Sequence, residues 1–166
     1  MQTLQADSEW APPEVAGAPC SRGFVALLEA FRATGGTAPS DIVGRLLDDR
    51  PIGRFLSLAT LVDTGQIFGF DWRNSLWIPM FQFDADKLSV RLGPQQIRAE
   101  LPSGWPGWAV ASWFATPCPK LGGQRPVDVI DSNLDEVMQI ARSLAAAPAL
   151  GWPPRTPRVH QTAARA

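Results

Sequence analysis

Few side chains in this sequence are equipped for covalent or acid–base chemistry. The one histidine, His160, stands in a Pro/Arg-rich C-terminal stretch. Nothing there holds an imidazole within hydrogen-bond reach of a reacting group, so it reads as a solvated tail residue. Cys118 lies between Pro117 and Pro119 with no histidine near it in sequence. A nucleophilic thiol needs a paired base, so Cys118 reads as loop packing. It and Cys20 are isolated and without a secretion signal, and are expected to be free thiols. Asp84-x-Asp86 has the spacing of a metal-ligand pair, but short acids after an alternating run more simply end a strand and make a turn. Asp128 and Asp131, just after Pro126, are expected to cap backbone N–H groups rather than to ligate metal. There is no Cys-x-x-Cys, no histidine pair and no phosphate-cradling glycine loop. Neither cofactor nor metal is expected, and binding is left as the chemistry to look for.

Two sets of residues are suited to binding. Arg45, Arg50 and Arg54 cluster around a turn, and Arg73 with Asn74 falls at a hairpin tip. A recognition helix and wing place such residues on phosphates and groove edges. Against DNA contact, residues 22–73 carry six Arg and six Asp plus Glu, which cancel. A recognition helix from Arg54 to Thr64 would offer a single arginine, so a purely structural helical subdomain stays open as the alternative. The second set is aromatic. Seven tryptophans are first of all core, each burying roughly 150–250 Å². Any left at the surface suit a partner interface, where Trp and Arg supply much of the anchoring energy.

The elements that position these residues follow from periodicity. Residues 1–21 are rich in Pro, Gly and small residues and read as a tail. Phe24, Leu27, Leu28 and Phe31 recur at helical spacing, and Gly35-Gly36 ends that helix. Pro39-Ser40-Asp41 starts a second helix, with Ile42, Val43, Leu46 and Leu47 on its apolar side. A third carries Phe55, Leu58, Ala59 and Val62. Two strands, 66–71 and 76–83, alternate around a turn at 72–75, with Phe68, Phe70, Trp77, Pro79, Phe81 and Phe83 on one side. Leu76, Ile78 and Met80 fall on the other, so both faces are expected to be covered, and Pro79 argues for an edge strand. Helix, turn, helix and strands is the outline of a winged helix-turn-helix. Residues 95–101 make a short helix. Trp105, Trp108, Ala109, Ser112 and Trp113 then mark one buried face of a helix that opens at Pro106 and closes at Thr116-Pro117. After Gly122-Gly123, Pro126 starts a short helix, and Ser132 or Asn133 caps a last one with Asp135 and Glu136 in its first turn.

The fold class expected is mainly α, a small helical bundle with a central β-hairpin. It divides into a tail over 1–21, a helical or winged-helix-like region over 22–83, a helical region over 84–147 and a second tail over 148–166. An apolar fraction of 45% favours a folded chain. A net charge of −1 does not advertise a nucleic-acid protein. No run is apolar enough for a membrane span or an export signal, which makes the cytoplasm the expected compartment.

The order of residues from Trp113 to Ile130 is distinctive: Trp-Phe-x-x-Pro-x-x-x-Leu-Gly-Gly-x-x-Pro-x-Asp-Val-Ile, built from Trp113, Phe114, Pro117, Leu121, Gly122, Gly123, Pro126, Asp128, Val129 and Ile130. It resembles the toxin-binding domain of Xre/MbcA/ParS-type antitoxins. Trp77 to Asp84 resembles a strand that precedes that domain, so the resemblance runs over roughly 77–146. The family's common Pro-Asn after the helix is Pro117-Cys118 here. The resemblance implies a non-enzymatic antitoxin that blocks a RES-domain, NAD-consuming toxin by binding it. It also implies a homodimer and an N-terminal helix-turn-helix that reads operator DNA. Partner-binding residues are expected at Trp105, Gln124, Arg125, Asp128 and Asp131. Arg125, in the Gly-Gly-Gln-Arg-Pro turn, is expected to be exposed, so that reversing its charge leaves stability unchanged. The alternative function is a transcription regulator whose C-terminal half serves oligomerisation.

Overall fold

A computed structural model describes residues 19–49 and 57–146. Arg50, Arg54, Phe55, His160 and most of the two expected tails lie outside these residues. Helix α1, Ser21–Phe31, is opened by Cys20, whose Sγ accepts from the Gly23 N–H at 3.4 Å. A 3-10 turn, Arg32–Thr34, and the left-handed Gly35 and Gly36 (φ 101° and 77°) close it. Strand β1, Thr37–Pro39, comes next and was not foreseen, because three residues are too few to show alternation. Helix α2 is Ser40–Asp48 and helix α3 is Leu58–Asp63, the latter capped by Ser57 Oγ accepting from the Thr60 N–H at 3.2 Å. In α2 only one of the two apolar rows is covered. Val43 and Leu47 are buried, whereas Ile42 and Leu46, about 100° round the helix, are each 42% exposed. In α3 the buried position falls to Leu61.

Strands β2, Phe70–Trp72, and β3, Ser75–Pro79, form the expected hairpin. Arg73 and Asn74 take positive φ (47° and 62°), as a tight two-residue turn requires. The sheet order is β1-β3-β2, antiparallel throughout, with Thr37 opposite Pro79 and Phe70 opposite Trp77. β3 is therefore central, which corrects the edge position expected from Pro79. Proline is tolerated there because it is the strand's last residue, and the Met80 N–H resumes pairing by donating to the Gly36 carbonyl at 2.9 Å. The expected strand also stops early: Met80–Gln82 is a 3-10 turn. The backbone left unpaired at Phe68 is satisfied by a side chain. The buried Gln82 amide accepts from the Phe68 N–H (2.8 Å) and donates to the carbonyls of Phe68 (2.9 Å) and Pro79 (3.0 Å).

Both faces of β3 are covered, as its two-sided apolar pattern implies. Leu76, Ile78 and Met80 meet Val43, Leu47, Leu61, Ile67 and Phe83 in a small cluster. Trp77 turns to a larger one that takes Leu27 and Phe31 from α1, Phe70 from β2, and Val110, Trp113, Phe114, Val137 and Ile140 from the C-terminal helices. Those helices are α4 (Leu92–Glu100), α5 (Gly107–Ala115), α6 (Pro126–Val129) and α7 (Leu134–Ala146). The fold is mainly helical with the expected hairpin, which β1 extends to a small three-stranded antiparallel sheet. α5 departs from the one-faced helix read from its tryptophans. Ala109, Val110, Ala111, Trp113 and Phe114 are all buried, whereas Trp105, which precedes the helix, Trp108 and Ser112 are half-buried. Elements pack around α5 from several sides, so its pattern reports a central helix rather than an amphipathic one. Phe114 stacks on Phe68 at 5.6 Å and lies 5.0 Å from Phe81 and 4.9 Å from Trp113. Gly107 makes the close approach possible: a Cβ there would stand 1.8 Å from the Gly69 carbonyl oxygen.

Candidate partner-binding site

The loop between α5 and α6 is built from both ends of its own sequence. Thr116 Oγ1 donates to the Ser112 carbonyl at 2.7 Å as α5 ends. Cys118 is wholly buried, and both its backbone groups bind within the loop: its N–H to the Gln124 carbonyl (2.9 Å), its C=O to the N–H of Leu121 (2.9 Å) and Gly123 (3.0 Å). Pro119–Leu121 forms one 3-10 turn, with Leu121 buried. Gly122 and Gly123 follow in left-handed geometry (φ 64° and 81°), which costs a residue with a Cβ about 1–2 kcal/mol. With Cys118 and Leu121 turned inward, the loop presents Pro117, Pro119, Lys120, Gly122, Gly123 and Gln124 to solvent. Its backbone is tied across the loop, and Cys118 and Leu121 anchor it in the larger core cluster.

Arg125 departs from its expected exposure. Its Nε and Nη2 donate to the two carboxylate oxygens of Asp128 at 2.5 and 2.7 Å, and its Nη1 donates to the Ala30 carbonyl in the last turn of α1 at 2.8 Å. Its side chain is 28% exposed, against 31% for Asp128. A cation at the C-terminal end of a helix is favoured by the helix dipole and by the orphan carbonyls there. The hydrogen bonds it donates to Asp128 hold the guanidinium's pKa above its ordinary value. Asp128 thus serves an arginine and not, as expected, a backbone N–H. The same correction applies to Asp131, whose carboxylate accepts from Arg91 Nη2 while Arg91 Nη1 donates to the Phe81 carbonyl at 2.9 Å. Of the five residues proposed for partner binding, Arg125 and Asp128 are joined by side-chain hydrogen bonds. Gln124 projects from the loop, and Trp105 is half-buried against the larger core cluster. Sequence reasoning passed over Lys120, the exposed cation of the loop. Its position in a Pro-started turn before Leu-Gly-Gly was the available signal.

Of the DNA-directed residues, Arg45, Arg73 and Asn74 lie among the described residues. Arg73 and Asn74 are exposed together at the β2–β3 turn, with the Arg73 guanidinium 5.5 Å from the Trp72 ring centre. Arg45 lies on α2, exposed and 3.9 Å from Asp41. Asp84 makes the turn read from its sequence: its Oδ1 accepts from the N–H of Asp86 (3.1 Å) and Lys87 (2.8 Å). Cys20 is exposed and Cys118 buried, both as free thiols. Among the described residues no group of three or more His, Cys, Asp or Glu is disposed to hold a metal ion.

The segment that holds this loop, its glycine pair and the helices on either side is similar to a known family. Residues 104–147 match the antitoxin Xre/MbcA/ParS C-terminal toxin-binding domain. Their match begins just before Trp105 and takes in α5, the loop, α6 and α7; Trp77–Phe83, where the resemblance was expected to begin, lies outside it. No curated protein and no solved structure matches the chain. The matched segment contains all five partner-directed residues and the exposed Lys120. The match over this segment supports an antitoxin role in a toxin–antitoxin system. No described helix is long and apolar enough to cross a membrane.

Proposed function

We propose that this protein neutralises a RES-domain, NAD-consuming toxin by direct binding, as a cytoplasmic homodimer and without catalysis of its own. The observation that carries this reading is the toxin-binding match over 104–147 together with the solvent-exposed, internally hydrogen-bonded loop within it. A loop whose ends are tied at Cys118 and Gln124 loses little conformational freedom on binding, so its contacts are not spent on ordering it. Lys120 and Gln124 supply polar contacts at its tip, and occlusion of the toxin's cleft is sufficient for inhibition. Co-expression with the protein encoded by the adjacent reading frame tests this directly, with growth and cellular NAD as readouts. Wild type restores both. Lys120→Glu combined with Gln124→Glu loses protection while melting as the wild type does. Loop variants that protect fully would overturn the reading.

A second reading, DNA binding by the N-terminal half, is favoured by a separate observation. The order α1, β1, α2, α3, β2, β3 with the β1-β3-β2 sheet is compatible with a winged-helix outline, in which the β2–β3 turn with Arg73 and Asn74 would be the tip of the wing. On this reading residues 22–83 bind the operator, with Arg45, Arg50 and Arg54 contributing from the helical side, and 84–147 bind the toxin or hold the oligomer. Binding to the promoter fragment at about 50 mM salt, weakened by Arg73→Ala with a smaller salt slope, supports it. No binding under those conditions removes it.

A further inference from the structure

Four aromatic rings gather on one side of the fold, at the start of α1. Phe24 stacks on Trp72 with ring centres 4.9 Å apart and planes 10° from parallel. Trp77 meets Phe24 edge-on at 4.9 Å, and Trp108 lies 6.3 Å from Trp72. All four residues are only half-buried, unlike Phe31, Phe70, Trp113 and Phe114, which the core covers. A cation stands at the edge of this row. The Arg73 guanidinium lies 5.5 Å from the Trp72 ring centre, and Arg73 is exposed and forms no ion pair among the described residues. A row of rings beside a free cation suits a proline-rich segment that carries an acid. Proline rings pack on aromatic surfaces, and their fixed φ lowers the entropy lost on docking.

Such a segment enters the fold at this place. Residues 1–18 include Trp10-Ala11-Pro12-Pro13-Glu14, and their charged residues are Asp7, Glu9 and Glu14, with no Lys or Arg. They join the described chain at Pro19, one residue before the cap of α1. The first turn of α1 lies against Trp108: a Cβ at Gly23 would stand 3.1 Å from Trp108 Cζ2 and 3.5 Å from Cys20 Sγ. The six residues from Pro19 back to Pro13 span up to about 20 Å. That reach exceeds the two steps from Trp108 through Trp72 to Phe24, 6.3 and 4.9 Å between ring centres. The chain's other proline-rich segment fits less well. Residues 147–166 carry Arg155, Arg158 and Arg165 and no acid, the same sign as Arg73, and they follow α7, which packs on α4 and α6.

We propose that the segment from Trp10 to Glu14 docks in cis on the surface formed by Phe24, Trp72 and Trp108, with the Glu14 carboxylate paired to Arg73. A short tether keeps the segment at an effective concentration of the order of millimolar, so contacts too weak to hold a free peptide are enough to hold this one. The inference stands apart from the toxin reading and bears on the DNA reading. A docked Glu14 occupies the cation that would meet phosphate at the β2–β3 turn.

The experiment is nitrogen-15 relaxation on the full chain. In the wild type the Trp10, Ala11 and Glu14 amides have order parameters near the rigid value of about 0.85. Glu14→Lys and Arg73→Glu each lower them below about 0.6 and shift the indole N–H signals of Trp72 and Trp108. The double reversal, Glu14→Lys with Arg73→Glu, restores both order and shifts. Glu14→Lys removes no described contact, so it keeps the test open if Arg73→Glu fails to fold. Wild-type order parameters below about 0.6 at Trp10 and Glu14 overturn the inference. Order at Trp10 that survives Glu14→Lys overturns it too, as does a double reversal that restores nothing. Order at Trp152 in place of Trp10 assigns the surface to the C-terminal segment, and order that grows with protein concentration assigns it to a second copy. Either result overturns docking in cis.

Discussion

Replacing Arg125 tests how the toxin-binding loop is tied to the rest of the fold. The wild-type side chain makes three donated hydrogen bonds, two to Asp128 and one to the Ala30 carbonyl on α1. The pair with Asp128 is about 30% exposed on both sides, so solvent screens part of it and about 0.5–1 kcal/mol is the expected share. A hydrogen bond from a charged donor to a part-buried helix-terminal carbonyl adds about 1.5–2 kcal/mol. Arg125→Ala should therefore lower stability by about 2–3 kcal/mol, or roughly 5–10 °C in melting midpoint for a chain of this size. Arg125→Glu should cost more, since it sets a second carboxylate beside Asp128 and leaves the Ala30 carbonyl unserved. Urea unfolding of both variants, with Asp128→Ala and the double variant to complete a cycle, measures each part. The cycle should return a coupling of about 0.5–1 kcal/mol. Midpoints of Arg125→Ala and Arg125→Glu within about 1 °C of wild type would refute the reasoning and return Arg125 to the exposed role its turn suggested.

The tryptophans of α5 should separate by burial. Trp113→Ala should cost about 3–5 kcal/mol in chemical unfolding, whereas the half-buried Trp108 should cost clearly less; equal losses would contradict their different environments. Gln82→Leu removes the amide that serves Phe68 and Pro79, and each orphaned buried backbone group carries about 1–3 kcal/mol. The expected result is a fall of about 3 kcal/mol or more, together with faster hydrogen exchange at the Phe68 N–H. Asp84 accepts from the Lys87 and Asp86 N–H groups, and the Lys87 bond first of all draws its pKa below the ordinary 3.8. A carboxylate whose folded pKa is depressed contributes stability above its unfolded pKa and loses it as pH falls through the folded one. The acid limb of a pH–stability profile should therefore flatten in Asp84→Asn, and an NMR titration of wild-type Asp84 should fall below 3.8.

The features legible in the sequence are those settled within a few residues. The α1 stripe, the acidic first turn of α7, the left-handed pair Gly122-Gly123, the Arg73-Asn74 turn and the Asp84 turn all depend on local sterics and on interactions of short sequence separation. The motif from Trp113 to Ile130 was legible for the same reason: its glycines and prolines record backbone geometry that only certain residue types can take. Tertiary structure decided what depended on distant partners. β1 exists because β3 passes beside it, and β3 is central rather than an edge strand for that reason. Which apolar row of α2 is covered, and that α5 is buried on several sides, depend on what packs there and not on the periodicity of either helix. Charged and amide side chains were the hardest to place. Gln82 serves a backbone 14 residues away, Asp131 pairs with an arginine 40 residues before it, and Arg125 reaches a carbonyl 95 residues upstream. A polar group that leaves water must find a partner, and only the folded chain determines which one comes within reach.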